Sequence, residues 1–384
     1  MDTNNITFDI QNKLLRWFDV YGRHNIPWKL NKGGSLPVNR EILSCYGIWI
    51  AEVMLQQTKL KVVLPYWSKW MITFPNLNIL AESDEQEILL IWQGLGFYSR
   101  AKRIHKCSKI LLNLIGKNNT LDPFSWPSQI DKWIQLPGIG RSTAGSIISS
   151  AFDLPVPILD GNVKRVLSRV LASNQTPSKD EKRLWKLSSL LVSCERPRDL
   201  NQALMDLGAT LCTTHNPSCY SCPIKYSCSA FLKYDPVDFP KKELKKTIPI
   251  QEIGIGLIFN KDGKLLIDQR LDSSTMGGMW EFPGGKKESD ECIEVTIQRE
   301  IKEELSISIE VKEKLLSFVH SYSHKKLHFT VYICEWKSGQ PRALASQKIL
   351  WITPNKLIDF PFPAANKKII IELYKYLGIE NKKL

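Results

Sequence analysis

Leu136-Pro137-Gly138-Ile139-Gly140-Arg141-Ser142-Thr143-Ala144 lies between two stretches with helical patterning, residues 130–135 before it and 142–152 after it. Two glycines in a tight turn let backbone N–H groups approach a phosphate closely, because no Cβ stands in the way. The second helix adds its positive N-terminal end. Such a turn can grip a phosphate backbone without reading what is attached to it. The unit predicted here is helix, hairpin, helix.

Outward from the hairpin, residues 8–232 read as mostly helical. Apolar residues recur three and four apart, as in Ile50, Val53 and Met54, and in Ile104, Ile110, Leu111 and Leu114. FPNLN, LDPFSWP and LPGIG punctuate the helices as turns. An all-α domain is therefore expected over residues 1–234. The stretch 235–248, DPVDFPKKELKKTI, has two prolines and a run of lysines and reads as a linker. Beyond it, IPIQEIGIGLIF, KLLIDQR, LLSFVHSYS and LHFTVYICEW carry the β-branched and aromatic content of strands, with one helical stretch at Glu291–Glu304. Residues 249–384 are expected to form an α+β domain.

The chain has 384 residues, 43% hydrophobic and 24% charged, which fits a globular protein of two domains and excludes a disordered or collagen-like chain. No apolar run approaches the ~18 residues that a membrane span requires. MDTNNITFDI lacks the basic-then-apolar pattern of a secretory signal, so a cytoplasmic location is expected. Net charge is +13, and residues 101–250 hold 22 basic against 12 acidic side chains, whereas 251–384 hold 20 against 18. A basic middle beside a near-neutral tail suits a polyanionic partner.

Nine cysteines are present, and four of them, Cys212, Cys219, Cys222 and Cys228, fall within seventeen residues in the spacing Cys-x6-Cys-x2-Cys-x5-Cys. Four thiolates so close in a reducing compartment imply a metal centre. Tetrathiolate zinc and a [4Fe–4S] cluster are both chemically allowed. Two carboxylates also stand out. Glu52 lies in AEVMLQQT, a helical segment with Ile50, Val53 and Met54 on one face and Glu52 and Gln56 on another. A carboxyl set against that much apolar surface has a raised pKa and suits a general acid. Asp160, in ILDGNVKR, lies about twenty residues past the hairpin, just before a helical run that it could also cap.

Hairpin, LDGN segment, AEVMLQQT and cysteine spacing together resemble the helix–hairpin–helix DNA glycosylase superfamily, in its endonuclease III and MutY branch. The likeness spans nearly all of residues 8–232. It implies a [4Fe–4S] cluster on the four cysteines, an essential acid at Asp160, and DNA held by the hairpin through Gly138, Gly140, Arg141 and Ser142. Strand-cleaving members place a catalytic lysine two residues after the last hairpin glycine. Ser142 stands there, so the Schiff-base nucleophile is missing and lyase chemistry is disfavoured. AEVMLQQT is similar to the MutY adenine glycosylase signature, whose glutamate is the catalytic acid, here Glu52. The same resemblance implies that Asn162 orients Asp160. It also implies that Gln56, Gln57 and the Gly94–Tyr98 loop, with Phe97 and Tyr98, contact or wedge the duplex. Phe97 stands where the family usually has tyrosine. His215 is the only potentially cationic side chain between Cys212 and Cys219.

Residues 249–384 resemble the MutT-like, or Nudix, fold that MutY enzymes use to recognise 8-oxoguanine. VHSYSH matches that branch's Phe-Ser-His segment, with Tyr322 in place of Phe, and makes Ser323 and His324 the lesion-recognition candidates. Gly285, Glu291, Arg299, Glu300, Ile301, Glu303 and Glu304 fit the Nudix signature, and Ser306 departs where glycine is usual. Glu300, Glu303 and Glu304 fall within about one helical turn and offer oxygen ligands to Mg2+. The resemblance implies a monomeric, monofunctional adenine DNA glycosylase of base excision repair. Its partner is double-stranded DNA at the nucleoid, with adenine mispaired with 8-oxoguanine or guanine, and no membrane is involved. The alternative is a Nudix hydrolase acting on oxidised dNTPs through the C-terminal domain.

Overall fold

The computed structural model describes residues 3–242, 249–322 and 325–380. The chain divides into two compact units, residues 1–82 with 103–245, and residues 83–102 with 246–384. No helix among the described residues is long and apolar enough to cross a membrane.

The first unit is helical, as patterned. Its helices are α1 (Thr3–Tyr21), α2 (Cys45–Leu55), α3 (Leu60–Thr73), α4 (Leu77–Glu82), the later part of α6 (Ser99–Ile115), α7 (Ile130–Ile134), α8 (Arg141–Phe152), α9 (Gly161–Leu171), α10 (Glu181–Val192), α11 (Pro197–Thr210) and α12 (Ser229–Lys233); α5 (Glu85–Trp92) belongs to the second unit. Local sequence sets several ends. Ser44 Oγ accepts from Gly47 N at 3.3 Å and caps α2, and Pro197 opens α11, where a missing N–H costs nothing. Val163, Val166, Leu167 and Val170 of α9 pack in one core with Leu200, Ala203, Leu204 and Leu207 of α11 and with Ile10 and Leu14 of α1. Each such aliphatic side chain contributes about 1.5–3 kcal/mol on burial.

Two glycines are required by geometry. Gly138 has φ +80° and a Cβ there would meet Arg103 Cδ at 2.7 Å, so the hairpin turn accepts no larger residue without strain. Gly145 of α8 lies so close to the Pro157 carbonyl that a Cβ would fall 2.3 Å from it. That close approach lays the segment leading to Asp160 directly on the hairpin's second helix.

The second unit holds a mixed sheet of β1 (Ile250–Phe259), β2 (Leu265–Arg270), β3 (Trp280–Glu281), β4 (Gly284–Lys286), β5 (Ser308–Ser321), β6 (Lys326–Ser338) and β7 (Ser346–Ile352). The order is β3-β2-β1-β6-β5, with β4 against β1 and β7 against β2; β1 and β6 run parallel and the other pairs antiparallel. α13 (Ile293–Leu305) buries Ile297, Ile301 and Leu305 against Ile258, Leu266 and Cys334, while α14 (Asn366–Tyr376) joins the core of Leu257, Leu265, Ile267 and Val331. The expected helix at 291–304 thus forms two residues later at its start. Ser306 caps α13 at φ 60°, ψ 30°, the left-handed region in which glycine is free and serine costs about 1–2 kcal/mol. This explains why glycine is usual there.

Candidate active site

α2 is buried at almost every position from Cys45 to Met54; Glu52 alone among its polar side chains reaches an opening. Asp160 is the N-cap of α9, its Oδ1 accepting from Val163 N at 2.8 Å. Its Oδ2 accepts from Asn162 Nδ2 at 3.3 Å. The cap fixes the side chain while leaving it facing the cavity. Glu52 and Asp160, far apart in sequence, line a single cavity of about 1080 Å³ in the first unit together with Asn162, Gln56, Gln57 and Ser142.

Burial raises Glu52 to about 7; the Asp160 carboxylate opposes its ionisation further, while the Ser146 hydroxyl and the Lys29 ammonium favour it. Asp160 is also raised above the usual aspartate value by burial, but the N–H groups of Val163 and Asn162, the Asn162 amide and Arg165 pull the other way. The two acids are thus set apart by their donors. Asp160 has hydrogen-bond donors and the Arg165 charge that favour the ionised form, and Glu52 is buried deeply enough to keep a proton near neutrality despite Ser146 and Lys29.

Asn162 is itself held, its Oδ1 accepting from Arg165 Nη2 at 2.9 Å, and Arg165 Nε donates to the Cys212 carbonyl at 2.8 Å. Gln56 Nε2 donates to the Gly138 carbonyl and to Thr143 Oγ1, each at 3.3 Å, and so ties α2 to the hairpin. Ser142 Oγ accepts from Leu159 N at 2.9 Å. The hydroxyl at the position of the absent lysine thus anchors the residue next to Asp160. Gly140 caps α8 without a side-chain bond, and Arg141 is exposed beside it. Gln57 is exposed with a left-handed φ of 58°, and Phe97, in the second unit, shares that conformation at φ 50°. Phe97 is 42% exposed with the Arg100 guanidinium 5.3 Å from its ring centroid. Tyr98 is buried and its hydroxyl accepts from Gly94 N at 3.2 Å, which makes it a brace of the loop. Ser323 and His324 lie outside the described residues.

Sequence reasoning missed Lys29 and Arg165. Lys29 closes the short turn Pro27–Lys29 and places Nζ 3.6 Å from Asp206 Oδ2, inside the same cavity. Burial lowers its pKa, while Asp206 and Glu52 oppose that shift. No local pattern marks it; only tertiary proximity does.

Cys212, Cys219, Cys222 and Cys228 line one small cavity, and Arg169 Nη1 lies 3.2 Å from Cys212 Sγ. Four soft donors around an apolar space beside a guanidinium fit a thiolate-held, negatively charged iron–sulfur group. Among the described residues, no three His, Cys, Asp or Glu side chains converge closely enough to hold a single ion. This holds for the four cysteines and for Glu300, Glu303 and Glu304 alike. Arg299 instead crosses the acidic face, pairing with Glu291 at 2.8 Å, Glu300 at 3.0 Å and Glu303 at 3.3 Å. Glu304 stays apart from that arginine, raised to about 7 by burial and by Glu300 and Glu281.

Residues 50–189 match the HhH-GPD superfamily of base excision DNA repair proteins, and residues 254–372 match the NUDIX domain family. An adenine DNA glycosylase of Buchnera aphidicola subsp. Acyrthosiphon pisum is 35% identical over 82% of this chain and 83% of its own length. One from Homo sapiens is 30% identical over 93% of this chain and 72% of its own length. A solved thermostable thymine-DNA glycosylase aligns over 61% of this chain and all of its own with a TM-score of 0.51 at 23% identity, a likeness of fold. By its glycosylase and NUDIX segments, and by relatives matched over most of both lengths, the chain belongs to the adenine DNA glycosylase family.

Proposed function

We propose that this chain hydrolyses the N-glycosidic bond of adenine mispaired with 8-oxoguanine or guanine in duplex DNA, as a monofunctional enzyme of base excision repair. The observation that carries the reading is that Glu52 and Asp160 line one cavity, where burial raises Glu52 to about 7 while the donors of Val163 and Asn162 and the charge of Arg165 favour the ionised form of Asp160. The adenine leaves the stack at a cost of a few kcal/mol, least at a mismatch. Glu52 gives its proton to N7, so the base departs neutral with the C1′–N9 bonding pair. Asp160, as carboxylate, stabilises the cationic sugar or adds to it transiently. Water then supplies hydroxide to C1′, and its proton restores Glu52. Asn162 and Arg165 hold Asp160 in place. Ser142 leaves no amine to trap the sugar, so the product is an intact abasic strand.

Cys212, Cys219, Cys222 and Cys228 would hold a [4Fe–4S] cluster that fixes their loop beside α9; its contribution is structural. Gln57 and Phe97 contact the duplex, and Ser323 and His324 read the 8-oxoguanine. The protein acts as a monomer on nucleoid DNA in the cytoplasm. Hydrolysis of oxidised dNTPs is the less favoured reading, because Arg299 engages Glu300 and Glu303, two of the three carboxylates that would take Mg2+.

The test is a single-turnover assay on duplexes with adenine opposite 8-oxoguanine, guanine or thymine, with and without alkali. Release opposite the first two, with strand cleavage only after alkali, is expected. Release opposite thymine alone, or cleavage without alkali, overturns the reading.

A further inference from the structure

α10 carries Lys182, Trp185, Lys186 and Ser189 at i, i+3, i+4 and i+7, so they share one helical face. Trp185 packs partly against the core, and Lys182 and Lys186 on the same face stay exposed. With Arg141, Ser142 and Lys164 this face borders an open groove of about 810 Å³, which adjoins the cavity of Glu52 and Asp160 at Ser142. The groove's one acid, Glu181, is already bound to Lys164 at 3.2 Å. Lys182, Lys186 and Arg141 are exposed. Trp185 is only partly buried, and the Arg141 guanidinium lies 4.1 Å from its ring centroid. A stack this close fixes a long, otherwise mobile cation at the mouth of the groove.

We infer that this groove is a second phosphate track, which carries the duplex backbone onward from the hairpin along α10. The inference rests on the DNA-glycosylase reading above and extends it. The occupant is duplex DNA because the cationic face is continuous with the hairpin through Arg141, and because cations spaced along a groove match a repeating polyanion. Lys182 and Lys186 contact phosphates. Trp185 is a positioning residue that presents Arg141. The track reads no base, so it lengthens the footprint and holds register.

The test is equilibrium binding of the full chain to a fully paired duplex across a salt series. Because no mispair is present, the slope is independent of adenine release. Each phosphate contact contributes about −0.9 to the slope of log K against log salt. The double variant Lys182→Gln/Lys186→Gln is expected to flatten that slope by about two units, and Trp185→Leu by about one, with Trp185→Phe restoring it. A control pair away from the groove, Lys69→Gln/Lys109→Gln, keeps the wild-type slope. A wild-type slope in the Lys182/Lys186 variant, or an equal loss in both double variants, overturns the track. Failure of the wild-type protein to release adenine would end the glycosylase proposal and leave this slope standing.

Discussion

Two groups of carboxylates occupy this chain, one in each unit, and they are held in opposite ways. In the helical unit Glu52 and Asp160 face a common cavity, and burial raises both. On α13 of the second unit, Arg299 spans Glu291, Glu300 and Glu303 and holds Glu291 down to about 2. Both groups are carboxylic acids. What differs is the counter-ion. An acid with a guanidinium partner is fixed as an anion and has no proton to give. A buried acid such as Glu52, whose cationic neighbour Lys29 is paired with Asp206, keeps its proton until near neutral pH and can deliver it. The lesson is that an acidic motif in sequence does not say whether its acids are free.

Exchanging single groups would break that contrast. The largest effect is expected from Glu52→Gln, which removes the proton donor at near-constant shape. Single-turnover adenine release should fall about 10²–10⁴-fold while duplex affinity holds. Asp160→Asn should follow, with a loss of about 10²–10³-fold, since it removes the charge facing the sugar.

A smaller effect is on stability. Glu52 is raised from 4.5 to about 7 in the folded chain, so the folded state binds more protons than the unfolded one between those values. Its contribution is therefore present at low pH and is lost as pH rises from 4.5 towards about 7. Glu52→Gln should remove that loss and unfold at higher denaturant at alkaline pH, by about 1–3 kcal/mol. Equal stability of the two forms at alkaline pH would show that Glu52 is not strained by burial. The smallest effect is expected in the other unit. Arg299→Gln should raise the Glu291 carboxyl towards its ordinary value, read by NMR titration, and leave adenine release unchanged.

Much of this was legible in sequence, because it is written in local pattern. The hairpin glycines, the cap at Asp160, the apolar helix around Glu52 and the strand-rich tail each follow from spacing and residue type. Other features depend on packing between distant segments. Lys29 enters the cavity only because its turn is paired with Asp206, and Arg165 matters because α9 turns it towards Asn162 and the Cys212 carbonyl. Ser142 reads in sequence as a missing amine; its second role, holding Leu159 N, needs the folded chain. The Nudix signature is complete apart from Ser306, but only the folded chain shows that Arg299 within it pairs with Glu291, Glu300 and Glu303 and leaves Glu304 aside.

The central claim is that Glu52 carries a transferable proton near neutral pH beside an ionised Asp160. Its most direct test is the pH profile of single-turnover adenine release from about pH 5 to about pH 9, for the wild-type chain and for Glu52→Gln. A wild-type rate that falls with rising pH through about 7, and a residual Glu52→Gln rate without that fall, is the predicted result. A flat wild-type profile across neutrality, or near-normal release by Glu52→Gln, would contradict it.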